Sequence, residues 1–497
     1  MTDSDRPRPG QPAGAARNTA FALLTQLSTA GFTAVLTIYL VRELGPREFG
    51  LFSLAVSVGA LVLLPSDFGI SSSTARFAAE VHDDRGAVAR LLSSAVRLKV
   101  AIGTLVAAAL IALAGPIAEA YGEPSLAWPI RWVSIAVFGQ GLVSFYRYTF
   151  NALRESSVGL RIVFGESAVE FGASIALVMA AGGAAAASAG RAVGYAFGAL
   201  LALGITVRAL GPSVIRRSER MADARRRLAR YAGALFIIET AFAASVQVAP
   251  LMIGGFLGAR EVGIFQAPNR LLVVLGYPGV ALSQGVAPRM ARAEGHEPDI
   301  NAFVGGLRLL IVFHALILAP LIVWAEPIVD LVLGPGYEES AEILQLMGPY
   351  IFVMGMSTLL AVALNYMGEA RRRLPISVME IGLTAGLTAA LLPTIGLIGA
   401  AIAADVVSVL FVLTLGWVIV RLVDLPVGRL LLSTARSLLA AGAAAGVLLA
   451  YGTSHLEVWH WFAGGAGAIA AFFGVLLVLG ELTLDELERA ARALRRR

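Results

Sequence analysis

The sequence predicts an all-α polytopic membrane protein with fourteen transmembrane helices, forming two pseudo-symmetric six-helix lobes plus two C-terminal helices. Three observations lead there: an apolar composition, a series of span-length apolar windows, and an internal repeat. Of 497 residues, 57% are hydrophobic and 15% charged, against about 25% charged in soluble domains. A soluble chain this apolar could not cover its surface with polar groups. The absence of cysteine excludes disulfides, thiolate metal sites and thiol nucleophiles. A net charge of +5 would suggest a nucleic-acid partner in a soluble protein. Here membrane topology accounts for it, and no nucleic-acid partner is expected.

Residues 1–18 carry Arg6, Arg8 and Arg17 among Pro7, Pro9, Gly10 and Pro12, without the apolar run of a signal peptide. They read as a disordered cytoplasmic tail. Windows long enough to cross a hydrocarbon core of about 30 Å then recur to the end. They fall at 19–42, 50–72, 96–116, 127–150, 157–182, 186–208, 231–256, 262–287, 306–326, 341–367, 374–395, 397–420, 430–451 and 458–480. The first six form an N-lobe (19–208), followed by an arginine-rich cytoplasmic linker (209–230). The next six form a C-lobe (231–420), and helices 13 and 14 occupy 421–480. The tail 481–497 has helical periodicity and a basic end, suited equally to an anionic leaflet or to solvent.

An even number of spans puts both termini on one side, and arginine placement says which. One side holds Arg85, Arg90, Arg154, the cluster from Arg216 to Arg230, Arg289, Arg292, Arg371 to Arg373, Arg421, Arg429 and Arg495 to Arg497. The other holds little beyond Arg42, Arg47 and Arg260, with Arg131 and Arg191 near helix ends. By the positive-inside rule the termini are cytoplasmic and the protein is multi-pass in the cell (inner) membrane.

The repeat is direct. Leu44-Gly-Pro-Arg-Glu-Phe-Gly50 recurs as Leu257-Gly-Ala-Arg-Glu-Val-Gly263 at an offset of 213, which also aligns Arg76 with Arg289. At an offset of 211, Arg97 falls on Arg308 and Pro116 on Pro327. Helices 1 and 7 run the same way, so the repeats are parallel, as in transporters built of two lobes. Such lobes can enclose a central cavity and rock about it.

The stretches Leu44 to Phe52, Asp67-Phe-Gly-Ile70 and Arg76-Phe77 resemble an opening signature. Gly263 to Leu271, Ala281 to Gln284 and Pro288-Arg289 resemble an eighth-helix signature, and Gly334-Pro-Gly-Tyr337 and Gly396 to Ala401 resemble later landmarks. The family so resembled is that of the polysaccharide-repeat-unit (O-antigen or exopolysaccharide) flippases, in the multidrug/oligosaccharidyl-lipid/polysaccharide exporter superfamily. The resemblance covers about residues 18–485. It implies movement of undecaprenyl-diphosphate-linked oligosaccharides from inner to outer leaflet by alternating access, for cell-surface polysaccharide synthesis beside glycan polymerase machinery. Flippases for lipid II or teichoic-acid-type precursors share the superfamily and stay open as an alternative.

Such a substrate needs cations for its diphosphate, polar or aromatic surfaces for its sugars and a groove for its tail. A cation at membrane depth costs about 2.5–3.5 kcal/mol on insertion scales, so those present are functional candidates. Arg270 lies about eight residues into helix 8, about 12 Å from its end, and its first-repeat counterpart is Ser57. It reads as a cavity cation for diphosphate, against a structural pair with a carboxylate. Arg147 and Arg161, at the inner ends of helices 4 and 5, suit diphosphate capture or snorkelling to the interface. Glu166 and Glu170 share one face of helix 5 and can share a proton or bind sodium, or pair with an arginine. Glu239 is a third coupling candidate, and Glu380 and Asp405 are further intramembrane carboxylates, each with a structural partner as the plainer reading. His314 reads first as a packing histidine. Tyr146 and Tyr148 suit sugar stacking or an aromatic belt, and Gln266 and Asn269 suit a cavity lining. Asp67, beside Gly69, reads as a cap or an ion-pair partner.

Lys99 is the only lysine and no glycine-rich loop precedes it, so there is no Walker A motif. With no metal-binding or nucleophile motif either, no catalytic residue, metal or cofactor is expected. Energy then comes from an H+ or Na+ gradient, the membrane potential or product removal. A monomer in the lipid bilayer is expected. A multidrug or cation antiporter would not need helices 13 and 14. A membrane glycan polymerase or glycosyltransferase is disfavoured by the short outer loops near 117–126 and 327–340, so the chain reads as a non-enzyme.

Overall fold

The computed structural model of the chain describes residues 12–67, 69–214, 244–291, 297–454 and 456–483. Among them the regular elements are helices without strands. Packing divides the chain into two compact units, Met1–Gly263 and Ile264–Arg497.

The first unit holds α1 (Pro12–Asp67), α2 (Ile70–Glu80), α3 (Arg85–Ala120), α4 (Ala127–Ala152), α5 (Ser156–Ala181), α6 (Gly183–Leu210) and the short α7 (Ala244–Phe256). Helix α8 (Ala259–Leu275) begins there and continues into the second unit. The second unit adds α9 (Tyr277–Val286), α10 (Ile300–Val323), α11 (Ala325–Val332), α12 (Glu339–Leu346) and α13 (Gly348–Tyr366). It ends with α14 (Ala370–Ile395), α15 (Leu397–Val420), α16 (Val427–Ala450) and α17 (Val458–Val478).

Twelve helices among the described residues are long and apolar enough to cross a membrane, two fewer than the sequence windows. One difference lies in α1, which runs through both of the first two windows. Its helical geometry is interrupted at Gly45 (φ +70°, ψ 174°), a conformation open to glycine, and Pro46 next to it donates no hydrogen bond to the preceding turn. The other lies in the seventh window, 231–256, of which only α7 is described. The remainder of that window, most of the arginine-rich linker, Glu239 and the tail beyond residue 483 lie outside the described residues. Helix α1 begins at Pro12, inside the stretch read as tail. Proline suits a first helical position, and Ala13, Ala15 and Ala16 favour continuation.

The eighth window is broken. Pro268 has no N–H for the Ile264 carbonyl, and the buried Ser340 hydroxyl donates to that oxygen instead at 2.8 Å. Gly276 then separates α8 from α9, which has proline in its first turn.

Small residues set the tightest crossings. On α6, Gly190, Gly194 and Gly198 lie against Ser174, Glu170 and Glu166 of α5. A Cβ at Gly194 would sit 2.4 Å from that of Glu170, so this close spacing requires glycine. Within the first unit the two repeat motifs also cross each other. A Cβ at Gly50 would lie 1.7 Å from the Ala259 carbonyl oxygen, and one at Gly263 would lie 1.9 Å from that of Pro46. Ala259 is the 213-offset equivalent of Pro46, as Gly263 is of Gly50, so the contact is reciprocal.

Large side chains fill each unit's interior: Phe145, Tyr146, Phe150 and Ile162 in the first, and Phe303, Leu359 and Phe411 in the second. Leu105, Met179, Leu439, Phe462 and Val478 stay exposed, as suits helices solvated by lipid. Helices α16 and α17 pack with α10 around Ala444, Phe472 and Leu476. Glu481, just beyond α17, is buried and takes Arg308 Nε at 2.9 Å, Arg436 at 3.4 Å and the Ser433 hydroxyl at 2.6 Å.

Candidate functional site

The densest buried charge in the first unit lies where α5 meets α6. Glu166 and Glu170 are one turn apart, hence on one face of α5, and glycines on α6 let the two backbones approach them. One turn before Gly194 lies Arg191, whose Nη1 is 2.6 Å from Glu170 Oε1. Its Nη2 donates to the Tyr195 hydroxyl at 3.3 Å, and the guanidinium lies 4.9 Å from that ring's centroid. Glu166 accepts from the Ser167 hydroxyl at 3.2 Å, and its Oε1 has no hydrogen-bond partner within the protein. The sequence placed Arg191 near a helix end as a topology arginine; here it is the counter-ion of Glu170. The usable signal was the glycine repeat Gly190-x-x-x-Gly194-x-x-x-Gly198 around it.

A second pair gives Asp67 both roles the sequence offered it, cap and ion-pair partner, with a lysine whose burial went unread. Lys99 on α3 is 4% exposed and pairs with Asp67 at the end of α1. Asp67 also accepts from the Ser71 backbone at 3.1 Å and from its hydroxyl at 2.5 Å, so it caps α2 and holds a cation at once. Gly141 on α4 leaves room for the lysine, since a Cβ there would lie 3.3 Å from Lys99 Cε. A single lysine just inside an apolar window was the signal.

Arg147 is half-buried on α4, 5.8 Å from the Tyr148 ring centroid, and Tyr148 is exposed. Arg161 on α5 is exposed. Tyr146 is corrected as a cavity-lining aromatic: at 1% exposure its ring packs edge-on to Phe145 in the core, 5.3 Å between centroids. Along the helix, Phe145 and Tyr146 face inward and Tyr148, two residues and about 200° further round, faces outward.

In the second unit Arg270 and Gln266 are half-buried on α8, on either side of Pro268. Asn269 is half-buried too, but its amide donates back to the Phe265 carbonyl at 2.9 Å, one residue after Pro268. Glu380 on α14 lies within electrostatic reach of Arg373 on the same helix, whose guanidinium donates to Asn365 at 2.9 Å. Asp405 on α15 accepts from the Tyr350 backbone at 2.8 Å, capping the start of α13. His314 is fully buried, with Nδ1 2.8 Å from the Leu310 carbonyl and Gly355 leaving room for the ring. Asp405 thus caps a helix and His314 packs, while Glu380 keeps Oε2 without a hydrogen-bond partner in the protein. Among the described residues, no group of three or more acidic or histidine side chains is placed to hold a metal ion.

Several solved structures share this fold. The lipid II flippase MurJ, in an inward closed conformation, superposes with a TM-score of 0.75 at 14% identity, over 94% of this chain and 99% of that one. The MATE multidrug transporter DinF-BH in complex with R6G gives 0.64 at 12% identity, over 85% and 98%. A transporter from Pyrococcus furiosus of the same superfamily gives 0.59 at 12%, over 81% and 95%. No curated protein sequence matches the chain. Residues 236–390 match the MatE family, and residues 15–294, more than half of the chain, match the family described as polysaccharide biosynthesis protein. The chain is a multi-pass membrane protein that belongs to the polysaccharide biosynthesis protein family.

Proposed function

We propose that the protein is a flippase that moves undecaprenyl-diphosphate-linked oligosaccharide repeat units from the inner to the outer leaflet of the cell membrane, for cell-surface polysaccharide synthesis. The family match over residues 15–294 carries this reading, and the lipid II flippase likeness over 94% of the chain supports it. Loading occurs at the cytoplasmic face, where both termini lie, and alternating access exposes the cargo to the other side. The protein works as a monomer in the bilayer, hands its product to glycan polymerase machinery and performs no covalent chemistry.

Arg270 suits the diphosphate. It is a half-buried guanidinium two residues after Pro268 in α8, and a fixed fork of donors matches phosphate oxygens. Gln266 adds a polar group one turn earlier. Arg147 and the exposed Arg161 supply capture charge at the cytoplasmic ends of α4 and α5, with Tyr148 as the sugar-stacking ring. Glu166 and Glu170 couple transport to an H+ or Na+ gradient.

A lipid II or teichoic-acid-type precursor satisfies the same groups, and only the glycan would differ. Multidrug efflux is the second reading, favoured by the MatE match over 236–390. Cells whose chromosomal copy is replaced by Arg270→Ala separate these readings. Surface polysaccharide should be lost while the protein reaches the membrane in normal amount. Normal polysaccharide in that strain removes Arg270 from the site, and normal polysaccharide with heightened drug sensitivity on deleting the whole gene favours efflux.

A further inference from the structure

We infer that Glu166 is a binding site for a single proton, with Arg191 and Glu170 as its fixed electrostatic frame. The inference rests on the coupled-transport reading above and chooses the ion. With all three groups ionised, two carboxylates face one guanidinium and the buried cluster carries a charge of −1. Uncompensated charge among apolar helices is costly, and one added proton makes the cluster neutral. The positions say where that proton goes. Arg191 is committed to Glu170 at 2.6 Å and to Tyr195 at 3.3 Å, while Glu166, 4% exposed, keeps an oxygen without a partner in the protein.

Sodium fits this place poorly. Hard cations take roughly six oxygen ligands. Glu166, Glu170, Ser167 and Tyr195 bring six side-chain oxygens, but Arg191 already engages Glu170 Oε1 and the Tyr195 hydroxyl, and its guanidinium repels a second cation. The groups facing Glu166 are Glu170 and Ser167 from α5 and Arg191 from α6. Behind them Arg147 of α4 acts on Tyr195, and α1 meets α5 through Phe32 against Phe164 and Phe171.

Ser174, one turn beyond Glu170 on the same face, and Ser188 on α6 are buried hydroxyls without hydrogen-bond partners. Both lie between the cluster and the α5–α6 turn at Gly182. A hydroxyl both donates and accepts, so Ser174, one turn from Glu170, can take up or hand on a proton. The transfer is simple in balance: a water-borne proton converts the Glu166 carboxylate to a carboxyl, and Arg191 keeps its own.

Infrared titration of the purified full-length protein tests this without any transport substrate, so a wrong cargo assignment cannot mask the answer. At neutral pH the wild type should show a protonated-carboxyl C=O band that Glu166→Gln lacks. Replacing choline chloride by sodium chloride at equal ionic strength should leave the carboxyl and carboxylate bands of the wild type unchanged. Glu170→Gln should also lose the band, because Arg191 then becomes the counter-ion of an ionised Glu166. The inference is overturned if the band persists in either variant. It is equally overturned by a saturable sodium-dependent shift of the wild-type bands, a measurement that needs no variant to fold.

Discussion

The fifth and sixth helices of the first unit, α5 and α6, invite comparison with their counterparts in the second, α14 and α15. Both pairs approach closely through a glycine. Gly194 meets Glu170, and a Cβ at Gly399 would lie 2.6 Å from the Leu391 backbone. Their charges differ. The first pair buries two carboxylates with an arginine reaching across the helix interface. The second carries the half-buried Glu380 and Asp405, and among the described residues neither has an ion-pair partner within 4.0 Å; Asp405 serves as a helix cap. Close packing is therefore a property of both pairs, whereas a compensated charge between the paired helices belongs to the first alone; the second unit gathers its own beyond α17, at Glu481.

Five substitutions would break or sharpen that comparison, each read as a change in unfolding free energy of the detergent-purified protein. Arg191→Met should have the largest effect, a loss of about 3–5 kcal/mol, because it leaves Glu170 buried without its counter-ion. A loss below about 1 kcal/mol would mean that the pair is solvated and that the two units do not differ in this respect. Gly194→Ala should cost about 1–3 kcal/mol by forcing α5 and α6 apart, and Gly399→Ala should cost a similar amount. Asp405→Ala removes a cap and should cost about 1 kcal/mol, well short of the arginine variant. Gly386→Ala comes last. Nothing lies within 4 Å of a Cβ there, so alanine should stabilise α14 by roughly 0.5–1 kcal/mol.

Much of the architecture was legible because membrane helices advertise themselves by length and hydropathy, and because repeated motifs sit at repeated helix ends. The motif Leu44 to Gly50 pointed to a repeat. That its two copies cross through Gly50 and Gly263 is a tertiary fact with no local signature beyond the glycines. The loss of a helical donor to the Ile264 carbonyl follows from the missing N–H of Pro268, whereas its rescue by Ser340 joins residues 76 apart in sequence. At the candidate site, the shared face of Glu166 and Glu170 follows from helical spacing, but their counter-ion does not. Arg191 was read by its nearness to a helix end, where arginine usually reports topology, and Lys99 only for the absence of a Walker A motif. Their surroundings depend on glycines: Gly194 lets Glu170 approach the helix that carries Arg191, and Gly141 on α4 leaves room for Lys99. Tyr146 and Tyr148 show the converse: composition made both sugar-stacking candidates, and packing turned only one outward.

The most direct test of the account is transfer in proteoliposomes. Purified protein is reconstituted with an undecaprenyl-diphosphate-linked oligosaccharide, and arrival of the glycan in the opposite leaflet is read by a membrane-impermeant lectin. Protein-dependent transfer, abolished by Arg270→Ala, is the predicted result. Transfer no faster than in empty vesicles, from protein that is folded and inserted, would contradict it.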